Sequence, residues 1–121
     1  MRVRAARGAI VVALDDAETL LAATGRLLQA LLERNAVDHA ELISILFTVT
    51  DDLRSAFPAE AARRVGLDLV PLMCAREIPV RGSMPSVVRI LAHFHSDRAL
   101  EDIVHVYLDG AESLRDDFDA R

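Results

Sequence analysis

Leu20, Thr24, Leu27, Leu28, Leu31 and Leu32 recur at helical spacing, and this stripe constrains the fold more than any other feature of the chain. It predicts an amphipathic helix running to about Arg34. Asp15 followed by Glu18 forms a capping-box-like start. An apolar stripe of this kind has to be covered by another layer. The flanking segments supply one. Residues 3–13, with β-branched Val3, Ile10, Val11 and Val12, read as a strand, and residues 43–50 as a buried strand after a turn of helix over 38–42.

Further along, Phe57-Pro58-Ala59-Glu60 opens a second helix with proline in its first turn, and Gly66 is a natural stop. Residues 69–74 and 77–80 read as short strands, which Pro71 and Pro79 confine to edges or bulges. After a turn over 81–85, residues 86–96 alternate. Val88, Ile90, Ala92 and Phe94 are apolar, while the odd positions include Arg89, His93 and His95. A short helix over 97–103 and a strand over 105–108 complete the expected order. The fold class is therefore α/β, a single mixed sheet with helices packed on it. The 121 residues are read as one domain, with 116–121 as a flexible tail.

Composition narrows the chemistry. The net charge of −5 argues against a nucleic-acid partner. The longest apolar runs, residues 10–14 and 42–47, are too short to span a membrane. Neither a cleavable leader nor a cysteine pair is visible, so a cytoplasmic location is expected. All 14 basic residues are arginine, which excludes lysine Schiff-base chemistry and a P-loop lysine. Every cationic site is then a planar donor suited to carboxylates.

Two arginines interrupt apolar strands. Arg7 shares a face with Val3, Ala5, Ala9 and Val11, and Arg89 with Val87 and Leu91. Each guanidinium needs an anionic partner if it is buried. An internal salt bridge, a solvent-facing surface, or an anion site shared by both would satisfy the pattern. Cys74 has no adjacent histidine to activate it and reads as a small hydrophobe. His93 and His95 could offer two metal ligands, but no third has convincing spacing. Glu77 is either a general acid or base or a surface residue. No nucleophile elbow or dinucleotide fingerprint is present.

Several blocks, in order over nearly the whole chain, resemble the small trimeric (AroH-like) chorismate mutases. Val3-Arg4-Ala5-Ala6-Arg7-Gly8-Ala9 resembles their opening segment. Leu53 to Ala59 with Ala62-Arg63, and Val70-Pro71-Leu72-Met73-Cys74 with Glu77, resemble two internal blocks. Arg89, the block His105-Val106-Tyr107-Leu108, and Ala111 with Leu114-Arg115 complete the likeness.

The resemblance implies a homotrimer with active sites at subunit interfaces. It also implies conversion of chorismate to prephenate with no cofactor, metal or covalent intermediate. By the same resemblance Arg89 faces the breaking ether oxygen, and Arg7 and Tyr107 bind a substrate carboxylate. Glu77 and Cys74 contact the ring hydroxyl, and Phe57 walls the ring. Arg63 and Arg115 add positive field at the rim, and Ala59, Met73 and Leu114 complete the lining. Glu60, Asp116 and a segment between Arg63 and Val70 about one residue shorter than in some relatives depart from the pattern. A RidA-like imine deaminase and a non-catalytic metabolite-binding trimer stand as alternatives.

Overall fold

The computed structural model describes residues 1–115, so the expected tail over 116–121 lies outside the described residues. Five strands form one mixed sheet: β1 (Arg2–Val11), β2 (Leu42–Val49), β3 (Leu72–Arg76), β4 (Val87–Ser96) and β5 (Val106–Leu108). Their spatial order is β3-β2-β4-β1-β5. Strand β4 is central and antiparallel to both β1 and β2, while β3 and β5 pair parallel to β2 and β1. Helices α1 (Ala17–Arg34) and α2 (Ala59–Arg64) pack with the sheet in a common core. No helix among the described residues is long and apolar enough to cross a membrane.

The leucine stripe behaves as its spacing predicts. Leu20, Leu27, Leu28 and Leu31 are buried and meet Ile10, Ile45, Phe47, Ile90 and Phe94. Those sheet residues share one face, by the alternation of each strand. The helix starts one residue later than expected. Asp16 is the N-cap, accepting from the Glu18 and Thr19 amides. Asp15 turns away and accepts from the Arg54 and Ser55 amides, tying the start of α1 to the segment before α2. The Ser55 hydroxyl, then these amides, hold the Asp15 carboxyl below the usual carboxylate range.

Three other expectations need correction. The 69–74 strand is Leu72–Arg76, because Pro71 cannot donate to a ladder and instead offers its carbonyl to the Ile45 amide at 3.1 Å. Residues 77–80 form no strand. Glu77 N–H makes one last bond to the Val49 carbonyl at 2.9 Å, and the chain then turns through Val80 N–H to the Ile78 carbonyl. The expected helix over 97–103 shrinks to a single 3-10 turn, Leu100–Asp102.

Gly8 lies where the layers approach most closely. A methyl there would sit 3.0 Å from both Leu27 Cδ1 and Leu31 Cδ1, and 3.1 Å from the Val106 carbonyl of β5. The leucine tips can shift, but the β5 backbone cannot easily do so. Gly8→Ala is expected to destabilise the fold by about 1–3 kcal/mol. Gly25→Ala, where an added methyl meets nothing within 4 Å, should stabilise α1 by roughly 0.5–1 kcal/mol. Thermal unfolding of the two variants checks the contrast, and equal effects would contradict it.

Candidate active site

The uncovered sheet face carries the charged residues. Pairing places Tyr107, Ala9, Arg89, Thr48 and Ala75 in one row running from β5 to β3. The next row holds Arg7, Leu91, Leu46 and Met73. Arg7, Arg89 and Tyr107 therefore converge because odd positions of three adjacent strands point the same way. Glu77 reaches them from the loop after β3, anchored by its amide bond to Val49. Together with Leu46 and Thr48 they line a cavity of about 250 Å³. A larger groove of about 570 Å³ shares Glu77 and Arg89 as a wall and continues along Thr50, Asp52 and Met84.

Arg89 Nε lies 3.3 Å from Glu77 Oε2, within ion-pair range. That Nε is buried without a hydrogen-bond partner, so the pair is not an aligned one. The Thr48 hydroxyl donates to the same Oε2. Arg7 is fixed at the backbone, where its amide donates to His105 Nδ1 at 2.9 Å. This bond needs an acceptor at Nδ1, which places the proton of neutral His105 on Nε2.

The other expected site residues lie elsewhere within the chain. Cys74 pairs with Phe47 in the ladder and packs half-buried against the core, on the α1 side of the sheet. It opens into a separate cavity of about 610 Å³ with Phe57, which is 75% exposed. Glu60 borders this second cavity and is exposed, so its charge stands at a rim. Ala59 is buried in the core, while Arg63 is exposed. Its neighbour Arg64 instead pairs with Glu18 at 3.0 Å. Met73 is exposed on the Arg7 face, opposite Cys74. Leu114 packs beside Tyr107 around Ala9, Val87 and Ala111. The Arg115 side chain and Asp116 fall outside the described residues.

The chain thus brings together Arg7, Glu77, Arg89 and Tyr107, with Leu114 nearby. It leaves Phe57 and Cys74 on the other face. Two contributors escaped the sequence reading, Thr48 and Asp52. For Thr48 a signal existed: Ser44 and Thr48 fall on one face of β2, Ile45 and Phe47 on the other.

The family profile for chorismate mutase type I matches residues 3–118. The chain belongs to that family. By class it is an isomerase. It is 49% identical over 119 residues to chorismate mutase AroH of Thermus thermophilus, an alignment covering 98% of each chain. It is 34% identical over 118 residues to chorismate mutase AroH of Bacillus subtilis, covering 97% of this chain and 93% of the relative. A chorismate mutase structure from Clostridium thermocellum superposes with a TM-score of 0.90 at 44% identity, covering 91% of this chain and 98% of the other.

In this member of the chorismate mutase family, a polar latch sets where β4 begins. Ser86 adopts a positive φ of 60°. Asp52 accepts from its amide at 3.0 Å and its hydroxyl at 2.9 Å. The Thr50 hydroxyl, followed by these Ser86 donors, holds the Asp52 carboxyl below the usual carboxylate range. The latch therefore contributes fully above the unfolded value of about 4 and is lost as pH falls through the lower folded value. Because Asp52 is exposed, its worth is about 1 kcal/mol after solvent screening. Asp52→Ala should unfold a few degrees below wild type at neutral pH, and the gap should close as pH falls through the lowered folded value. A gap that persists in acid would show that the carboxylate is not its source.

Proposed function

We propose that the chain converts chorismate to prephenate, a pericyclic Claisen rearrangement on the route to phenylalanine and tyrosine, and that it does so as a homotrimer. The convergence of Arg7, Glu77, Arg89 and Tyr107 on one cavity carries this reading. Chorismate has two carboxylates, which guanidinium forks grip in a fixed orientation. Arg7 and Tyr107 would take one of them. As the ether C–O bond breaks, negative charge grows on the enolpyruvyl oxygen. Arg89, aimed at that oxygen, would stabilise the charge more than the ground state. Glu77 would orient the ring hydroxyl without accepting its proton. Holding the reactive chair-like conformer would supply part of the rate gain.

The placement of Phe57 and Cys74 on the opposite face supports a site shared between subunits. One subunit would contribute the arginine cavity, and its neighbour Phe57, Ala59, Arg63 and the β3 residues Met73 and Cys74. Leu114 and Arg115 would close the rim. Phe57, Ile78 and Val80 are exposed apolar groups around the two openings, and Met73 is exposed on β3, surface that a neighbour would cover. A cytoplasmic location suits the lone Cys74, which has no partner for a disulfide within the chain. The imine-deaminase and non-catalytic alternatives draw no support from the family match.

Purified protein should deplete chorismate, followed by its absorbance. Arg89→Ala should slow the reaction by at least about a hundredfold, and Arg89→Lys should not restore it, because a lysine lacks the fork. Absence of turnover by the wild-type chain would sink the reading. Mass measured in solution should be that of three chains, and an active monomer would overturn the shared site.

A further inference from the structure

Thr48 is the penultimate residue of β2, an otherwise largely apolar strand, yet its hydroxyl is aimed at a charge rather than at a backbone group. It is the ladder partner of Arg89, so the two side chains rise from the sheet side by side. Both meet the same atom. The Thr48 hydroxyl donates to Glu77 Oε2, and Arg89 Nε approaches that oxygen at 3.3 Å. No hydrogen bond joins Arg89 to Glu77 among the described residues, although the side chains are close enough for one.

An arginine beside a carboxylate ordinarily settles into a two-bond fork-to-fork pair. Such a pair here would offset the positive charge of Arg89 and occupy donors that the reaction needs. It would also consume both oxygens of Glu77. Fixing Oε2 on a neighbouring hydroxyl blocks that arrangement. β-Branching holds the threonine side chain to few rotamers, so the hydroxyl is a rigid anchor.

We propose that Thr48 is a positioning residue for the rearrangement, pinning Glu77 Oε2 so that Oε1 meets the substrate and Arg89 keeps its donors for the developing negative charge. This rests on the mutase reading above. It adds a residue that acts through Glu77 and Arg89 and touches no reacting atom.

Thr48→Val removes the hydroxyl and keeps the branched shape. It should lower kcat by about tenfold to a hundredfold, the range for a lost hydrogen bond to a charged group, and change KM much less. Thr48→Ser should recover activity to within about threefold of wild type, since it restores the donor. The deciding measurement is a double-mutant cycle. In a Glu77→Gln background, which has no charge to pair with Arg89, Thr48→Val should cost less than about twofold. Should the valine variant lose its assembly by solution mass, Thr48→Ala against Thr48→Ser compares the same hydroxyl. Wild-type activity in Thr48→Val, or an equal loss in both backgrounds, overturns the role of Thr48 alone. Absence of turnover by wild type, assayed alongside, overturns the mutase reading and the Thr48 role together.

Discussion

The leucine stripe of α1 buries one face of the mixed sheet, and every charged group in the arginine cavity is reached from the face it leaves open. Burying Leu27, Leu28 and Leu31 on Ile10, Phe47 and Phe94 stabilises the fold through apolar area removed from water. The same burial fixes the register of β1, β2 and β4, because a slip of one residue would turn Arg7 and Arg89 into the core. A guanidinium in that core without partners would cost several kcal/mol. The apolar packing on one side therefore specifies the polar arrangement on the other. Gly8 is where the two requirements meet, since the absence of a side chain lets α1 and β5 approach β1 next to Arg7.

On the open face, half-burial suits the task. Arg89 and Glu77 keep 42% and 21% of their side-chain surface accessible, so neither bears the full desolvation of a core ion. They remain far enough out of water for their fields to act strongly over short distances. The Thr48 hydroxyl on one side and the Glu77 amide bond to Val49 on the other hold the carboxylate without closing the pair. The Asp52–Ser86 latch fixes the strand start three residues before Arg89. Glu77 is thus held in place by bonds within the chain, which lowers the cost of ordering it when substrate binds.

Periodicity made much of this legible. The spacing from Leu20 to Leu32 gave α1, and the alternation from Val87 to Ser96 separated Ile90 and Phe94 from Arg89. Caps and prolines were read less well, because side chains one residue apart compete for the same amides. Asp16 wins the end of α1, leaving Asp15 free to bind the Arg54 segment. Residues 77–80 looked like a strand by composition, but extending β3 would have required an amide that Pro79 lacks. Site membership was harder still. Arg7 and Arg89 could be put on faces, yet no spacing along the chain shows that β1 and β4 are neighbours. The resemblance assembled Glu77 and Cys74 into one pocket. The fold gives them opposite sides of the sheet, a separation visible only once β3 is paired to β2.

Pro71 has a consequence for how this chain can vary. Its carbonyl receives the Ile45 amide immediately before β3 begins, and Val70 beside it packs against the core. The two contacts act as a phase marker for the strand that follows. Upstream, Gly66 with its positive φ, exposed Asp68 and exposed Leu69 form slack that can be lengthened or shortened. A residue lost or gained there is absorbed before the marker, so Cys74 stays turned toward α1 and Met73 away from it. The same change made after Pro71 would exchange the two faces. A one-residue difference in length between Arg63 and Val70 would therefore change length without changing parity.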